Sequence, residues 1–257
     1  MRPIRHVFVG GVRAATASRA ELARMIVEEC LDRRGTPGRT KLLFDTNGQG
    51  VSLAARDPDY RSAIASADLV HADGGWIVLA SRYLSGERIA ERSATTDLLH
   101  DLAKAGVGKG LRHYLLGGTE EVNAECARRL VELHPGIVIA GRRNGYFDPE
   151  DEADVIGAID EAQADVLWVG LGKPKEQSFA VRHRDEIAAA WTITCGGCFN
   201  YVSGDYRRAP HWMQRANLEW LFRAATTPKL LWRYAMTTPH ALWLALTKID
   251  RRVEKGP

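Results

Sequence analysis

Short apolar runs ending near glycine alternate along this chain with segments of helical periodicity, and that alternation leaves few folds open. The strand-like runs are Lys41–Asp45, Asp68–His71, Arg112–Gly117, Ile137–Ala140, Asp165–Leu171 and Trp191–Cys195, the last clear one. Helix signals fall between them. Ser18-Arg-Ala-Glu21 has capping-box form, and Leu22, Met25, Ile26 and Cys30 follow it on one face. Asp57-Pro58 offers an N-cap with proline at N1, and Thr119 caps a helix predicted to reach about Leu133. Strands separated by helices require crossover connections, which favours a largely parallel sheet covered on both faces. The predicted fold is α/β, a Rossmann-like mostly parallel sheet with helices on both faces, spanning residues 1–203. At 257 residues, 45% of them hydrophobic, the chain can fill one such core with an appendage left over.

In sheets of this kind, ligands lie beyond the carboxyl ends of the strands. Four glycine turns are placed there: Asp73-Gly74-Gly75, Gly117-Gly118, Gly170-Leu-Gly172 and Gly196-Gly197. Glycine lets backbone N–H groups come close to an anion. One such turn would only mark a strand end; four together point to a nucleotide site. Gly170-Leu-Gly172-Lys173-Pro174-Lys175 has two glycines of the dinucleotide fingerprint and lacks the third, so it reads as a phosphate-facing loop and not a standard dinucleotide site. No Walker A loop, HExxH or GxSxG elbow occurs.

Beyond about Ser203 the pattern changes. Tryptophans and leucines interleave with arginines, predicting a C-terminal basic amphipathic helical appendage, residues 204–257, of two or three helices broken at Pro228 and Pro239. From Arg207 to Pro257 ten Lys/Arg stand against three acids, a net +7, while the remainder of the chain carries −4. This asymmetry predicts an anionic partner: phosphate, nucleic acid or anionic lipid. No apolar run is long enough to span a bilayer. Met1–Gly11 has only the short apolar run His6–Val9 and no cleavage site, so the chain is expected to be cytoplasmic. Cys30, Cys126, Cys195 and Cys198 do not form a secreted-domain framework, and Cys195-Gly-Gly-Cys198 reads as a glycine loop with incidental thiols.

Each candidate side chain has two readings. Asp57-Pro-Asp59 has the DxD form of a metal-holding motif, yet it sits where an N-cap is expected, and no metal is predicted. Asp73 after a strand is suited to take a proton from an attacking hydroxyl, or to bond its own turn. Arg92 suits a phosphate or sugar hydroxyl, or a surface ion pair. Tyr146 suits a nucleobase, or core packing.

Taken in order, several stretches resemble the WecG/TagA/CpsF glycosyltransferase family. They are Thr46-Asn47, Ala67–Gly74, Glu91-Arg92 through Leu98, Leu115–Gly118, Asn144–Phe147, Val169–Pro174, Gly196–Phe199, Arg208–Gln214, Leu218–Arg223 and Pro228 through Tyr234. The resemblance implies an inverting, metal-independent transfer of a hexose or N-acetylhexosamine from a UDP-sugar to a polyprenyl-diphosphate-linked sugar in cell-surface polymer synthesis. It implies Asp73 as base, Arg92 as active-site arginine and Tyr146 as base-stacking residue. It places Asp45, Thr46, Asn47, Gly118, Gly172, Lys173, Glu176, Gln177, Gly197 and Asn200 at the substrates, and Arg208, Arg223 and Arg233 as arginines from the tail. Implied partners are the nucleotide-sugar donor, a lipid-linked acceptor and an anionic membrane surface, with no nucleic acid and no cofactor. The implied location is peripheral, at the inner face of the cell membrane; oligomeric state is left open. Where the family has Thr, this chain has Asp45; Pro-Lys-Gln-Glu reads Pro174-Lys-Glu176-Gln177; and the aspartate after Gly-Gly-x-Phe is Asn200, which suggests a subfamily with its own donor or acceptor. A nicotinamide-dependent oxidoreductase and a noncatalytic membrane-associated nucleotide-binding protein are the rival readings.

Overall fold

A computed structural model describes residues 4–36, 38–210, 212–213, 219–226 and 228–255. In chain order the elements are β1 (Arg5–Val9), β2 (Val12–Ala15), α1 (Arg19–Asp32), β3 (Lys41–Thr46), α2 (Gly48–Arg56), α3 (Pro58–Ala65), β4 (Leu69–Ala72), α4 (Gly75–Leu84) and α5 (Thr95–Gly106). They continue with β5 (Arg112–Gly117), α6 (Glu120–Leu133), β6 (Val138–Arg143), α7 (Glu152–Glu161), β7 (Val166–Gly170), α8 (Lys175–Arg182), β8 (Trp191–Thr194) and α9 (Cys198–Ser203). Last come α10 (Glu219–Thr226), α11 (Pro228–Thr247) and β9 (Val253–Lys255). The main sheet has six strands in the order β4-β3-β8-β7-β5-β6, and the pairs β3–β8, β8–β7, β7–β5 and β5–β6 are all parallel. The α/β class and parallel sheet expected from the alternation are present.

Contacts divide the chain into two compact units. The first holds residues 1–18, 45–94 and 207–257; the second holds 19–44 and 95–206. In the second unit, Val166, Leu167, Trp168 and Val169 of β7 are fully buried, so both faces of that strand are covered. One side packs Leu167 and Val169 against Val155, Ile156 and Ile159 of α7 and Phe179 of α8. Each such side chain contributes roughly 1.5–3 kcal/mol by leaving water. Asp165 closes the opposite end of this strand: its carboxylate accepts from Arg34 Nε (3.0 Å), Arg34 Nη2 (2.5 Å) and the Arg112 backbone N–H (2.8 Å).

The first unit contains a sheet that the sequence does not announce, β2-β1-β9, antiparallel throughout. Its strands are short and polar-interrupted, and Val253-Glu254-Lys255 has one apolar residue, so no periodicity marks it. Gly10 and Gly11, at φ +61° and +84°, make the two-residue turn between β1 and β2. A Cβ on Gly10 would lie 2.7 Å from Val51 Cγ1, so only glycine fits there.

Asp57 is the N-cap of α3, accepting from Asp59 N (3.0 Å) and Tyr60 N (3.1 Å), so the DxD pattern is a cap. Thr119 caps α6 as expected. The tail departs from expectation at Pro239, which lies inside α11 and does not break it. Proline there removes one helix hydrogen bond and costs about 3 kcal/mol. Burial of Ala241, Leu244 and Ala245 beyond it, with the Ser52 Oγ–His240 Nδ1 bond of 2.9 Å to α2, offsets that cost. Pro228 does begin a new helix.

Candidate active site

In the first unit, β4 ends at Ala72 and the next residue is Asp73. Thr46 C=O, at the end of β3, accepts both Asp73 N–H (2.9 Å) and Gly74 N–H (3.2 Å). Gly74 is the N-cap of α4 and offers no side-chain cap. A Cβ at Gly74 would stand 3.2 Å from Asn47 Cα and 3.3 Å from Trp76 Nε1, so glycine lets the two strand ends close up. The carboxylate of Asp73 therefore sits just ahead of a helix N-terminus, where the dipole favours negative charge.

Arg92 is carried to the same place by stitching of its loop onto β4. Ser93 N–H donates to Ala72 C=O (2.8 Å), and His71 Nδ1 bonds Ser93 C=O (2.7 Å). Because a carbonyl only accepts, the His71 proton is on Nδ1. The Arg92 guanidinium reaches both Asp73 and Glu219. Its Nε donates to Asp73 C=O (2.7 Å), its Nη1 to Glu219 Oε2 (2.7 Å), and its Nη2 stands 3.5 Å from Asp73 Oδ1. Arg208 Nη2 is 3.9 Å from the same Glu219 oxygen. Arg92 is mostly buried and Glu219 almost wholly so, which sets this cluster apart from a surface ion pair. The Asp73 carboxylate faces the Arg92 guanidinium.

The end of β3 adds Asp45, Thr46 and Asn47. Asn47 Oδ1 accepts from Gly50 N–H (3.1 Å) and so caps α2, while its Nδ2 points at Asp45 Oδ2 (3.4 Å). Thr46 is buried, and its Oγ1 has no hydrogen-bond partner among the described residues.

The second unit gathers the other glycine turns. Gly117 pairs with Gly170, Gly118 N–H donates to Gly170 C=O (3.3 Å), and Gly145 N–H donates to Gly118 C=O (2.8 Å). This brings the Asn144–Phe147 turn beside Gly118. Asn144 Oδ1 accepts from Tyr146 N–H (3.0 Å), and the Tyr146 ring is 79% exposed, so it is not a core residue. After β7, Glu176 Oε2 accepts from both Gly172 N–H (3.0 Å) and Gly196 N–H (2.9 Å). Glu176 Oε1 accepts from Gln177 Nε2 (3.1 Å) and lies 4.0 Å from Lys173 Nζ. The carboxylate, fully buried, thus joins the turns after β7 and β8, and the donors that meet its charge include the Gly172 and Gly196 amides, the Gln177 side-chain amide and Lys173. Gln177 Nε2 also reaches Thr194 Oγ1 (3.3 Å), and Gln177 Oε1 has no partner among the described residues. Pro174, expected at N1, is the residue before α8, joined through a cis peptide to Lys173. Gly197 precedes α9, and Asn200 Nδ2 donates to Asp205 Oδ2 (2.9 Å). All four cysteines are buried free thiols; burial and the neighbouring Cys198 push Cys195 up, so it stays protonated.

The side chains of Arg223 and Arg233 lie outside the described residues, as does Gln214. The residue that sequence reasoning missed as part of the site is Glu219. Its signal was an acid standing alone among the basic residues of the tail, between Arg207 and Lys248.

Comparison with known proteins supplies the family. The profile of the Glycosyl transferase WecG/TagA/CpsF family matches residues 7–255. An N-acetylglucosaminyldiphosphoundecaprenol N-acetyl-beta-D-mannosaminyltransferase of Bacillus spizizenii is 33% identical over 186 residues, covering 72% of this chain and 71% of the relative. The protein of that name from Bacillus subtilis is 33% identical over 193 residues, 75% of this chain and 73% of its own. The Staphylococcus aureus one is 28% identical over 214 residues, 83% and 82%. With nearly its full length matched, this chain belongs to the WecG/TagA/CpsF family of glycosyltransferases.

Proposed function

We propose that this enzyme transfers an N-acetylhexosamine, of the N-acetylmannosamine class, from a UDP-sugar to a polyprenyl-diphosphate-linked N-acetylglucosamine. The acceptor class and the donor sugar follow from what its relatives are named for. Asp73 is the base. It takes the proton of the acceptor hydroxyl as that oxygen bonds the anomeric carbon and the bond to UDP breaks, a single displacement with inversion. Departing diphosphate gathers negative charge, which Arg92 and the tail arginines Arg208, Arg223 and Arg233 neutralise without a metal. Tyr146, exposed and held by its turn, stacks on the uracil. Asp45, Thr46, Asn47, Gly118, Gly172, Lys173, Glu176, Gln177, Gly197 and Asn200 shape the substrate contacts.

The observation that carries this reading is the Asp73 carboxylate at a strand end, fixed by backbone bonds and faced by Arg92. In this reading residues 1–203 are the nucleotide-sugar-binding catalytic part. Residues 204–257 rest at the cytoplasmic headgroup boundary, with exposed Trp232, Leu242, Trp243 and Leu246 toward lipid. None of the described helices is long and apolar enough to cross a membrane. The test is Asp73→Asn with UDP-N-acetylmannosamine and a short-chain lipid-diphosphate N-acetylglucosamine. Loss of turnover by about 100-fold or more with UDP still bound is expected; unchanged turnover removes Asp73 as base.

A further inference from the structure

β5 and β6 run side by side as far as the pair Leu116 and Arg143. Beyond it Gly117 pairs with Gly170 of β7, and the chain after Arg143 enters the Asn144–Phe147 turn. Asn123, at the end of the first turn of α6 and wholly buried, bridges the two strand ends. Its Nδ2 donates to Leu115 C=O (3.1 Å) and Gly117 C=O (2.8 Å) on β5, and to Arg143 C=O (3.0 Å) on β6. An amide nitrogen has two protons, so one of them is shared between two carbonyls. Turning the amide over would set its oxygen against three carbonyl oxygens, which fixes the orientation. Asn123 Oδ1 is buried with no hydrogen-bond partner among the described residues. A side chain there for packing alone would not carry such an oxygen, since leaving one unmatched costs stability.

We infer that Asn123 is a positioning residue for nucleotide binding: by tying Arg143 C=O to the end of β5, it sets the turn that carries Tyr146. The inference rests on the reading of Tyr146 as the residue that stacks on uracil. The Tyr146 ring is 79% exposed, so packing does little to aim it and its backbone must. That backbone is anchored along the turn. Arg143 C=O, one residue before it, accepts from Asn123; Gly145 N–H donates to Gly118 C=O (2.8 Å); and Tyr146 N–H donates to Asn144 Oδ1 (3.0 Å). The seat is tight: a Cβ on Gly145 would lie 2.8 Å from Leu171 Cδ2 and 3.0 Å from Gly117 Cα. α6 adds an outer hold, where Glu120 pairs with Arg142 and takes a hydrogen bond from the Asn144 side chain. That hold is solvent-exposed and weak on its own, whereas the bonds of Asn123 are sealed from water. A turn set in advance spares the ordering that binding would otherwise have to impose on the ring.

The full-length protein carries the test. Asn123→Leu keeps the size and removes the donors. Expected is a rise of about fivefold or more in donor KM and in the UDP dissociation constant, with kcat within about twofold, because a stacking contact is lost equally from bound substrate and transition state. A merely structural loss would lower kcat with the number of folded molecules and leave KM alone. In a Tyr146→Ala background, where there is no ring to aim, Asn123→Leu should change UDP affinity by less than about twofold. Unchanged donor KM in N123L, whether or not kcat falls, overturns the inference, and so does a rise that recurs in full beside Y146A. Should N123L prove too unstable to purify, Asn123→Ser keeps one donor and shortens the reach. It should raise donor KM about threefold, and wild-type KM there overturns the inference equally. Tyr146→Ala alone separates the two ideas. If Y146A leaves donor KM unchanged, the stacking reading fails; if Y146A raises it about tenfold while N123L stays at the wild-type value, only the role of Asn123 is removed.

Discussion

Gly117 and Gly157 make a matched pair in which the same substitution should have opposite signs. Gly117 ends β5 with φ +135°, a region L side chains rarely adopt, and an alanine Cβ would lie 2.3 Å from Gly170 C=O oxygen and 2.6–2.7 Å from the Gly170 carbonyl carbon and Cα. All three contacts are backbone of the paired strand, so no side chain can swing aside. The positive φ costs about 1–3 kcal/mol and the displaced ladder bond about 1 kcal/mol more. Gly117→Ala should therefore destabilise by about 3 kcal/mol, lowering Tm by roughly 6–12 °C for a chain of this size. Gly157 is exposed within α7, and an added Cβ would meet nothing within 4 Å. Gly157→Ala should stabilise by about 0.5–1 kcal/mol through helix propensity, raising Tm by roughly 1–4 °C. Thermal unfolding by circular dichroism reads both. UDP binding gives a second readout: it should weaken in G117A, whose clash disturbs the Gly118 and Gly145 bonds, and hold in G157A. A G117A melting temperature within about one degree of the parent would refute the assignment of the β5–β7 end as a backbone contact that only glycine permits.

Two further stability outcomes follow from buried polar groups. Asp165→Asn keeps the shape but loses the charge that binds Arg34 through two nitrogens; since the Arg34 side chain is 40% exposed and can rehydrate, the cost should be about 2 kcal/mol by urea midpoint, not the larger figure of a sealed pair. Burial lowers His113 from an ordinary 6.5 to about 4, and its Nδ1 accepts from Trp168 Nε1 at 3.2 Å. A histidine depressed in the folded state contributes stability that is fully present above the unfolded pKa and lost as pH falls from 6.5 toward 4. Urea midpoints at pH 7 and pH 4.5 should thus show a loss that is smaller by up to about 3 kcal/mol in His113→Gln; equal losses in both proteins would contradict it.

Much of the parallel sheet could be read from the sequence because buried strands announce themselves. Val166–Val169 and Trp191–Thr194 are apolar or β-branched throughout and bounded by turn residues, as strands covered on both faces must be. Caps were legible for a local reason: Asp57 and Thr119 satisfy N–H groups two or three residues away. What could not be read depends on partners far along the chain. β9 is a strand because Val253–Lys255 finds Arg5–Val7, and nothing inside three residues with one apolar side chain says so. Pro239 failed as a helix breaker for the same reason, since the packing of Ala241, Leu244 and Ala245 outweighs a local penalty. A boundary near residue 203 follows composition, whereas contacts gather residues 207–257 with 1–18 and 45–94.

The site divides along the same line. Asp73 and the glycine turns could be singled out as candidates because strand ends in α/β sheets are where ligands collect, a rule that acts through topology and needs no partner, whereas Arg92 came forward through the family resemblance. Glu219 was missed because it belongs to a segment whose net charge pointed the other way. A basic tail reads as a surface for anions, and averaging over it hides the one acid that is buried. Its burial is the informative fact: an exposed glutamate among arginines would be a solvated counter-charge, but one at 3% exposure has surrendered its hydration and must be held by Arg92 and attended by Arg208. Net charge is an average over the tail, while the buried acid is a single contact, and only the contact says which arginine the tail meets beside Asp73.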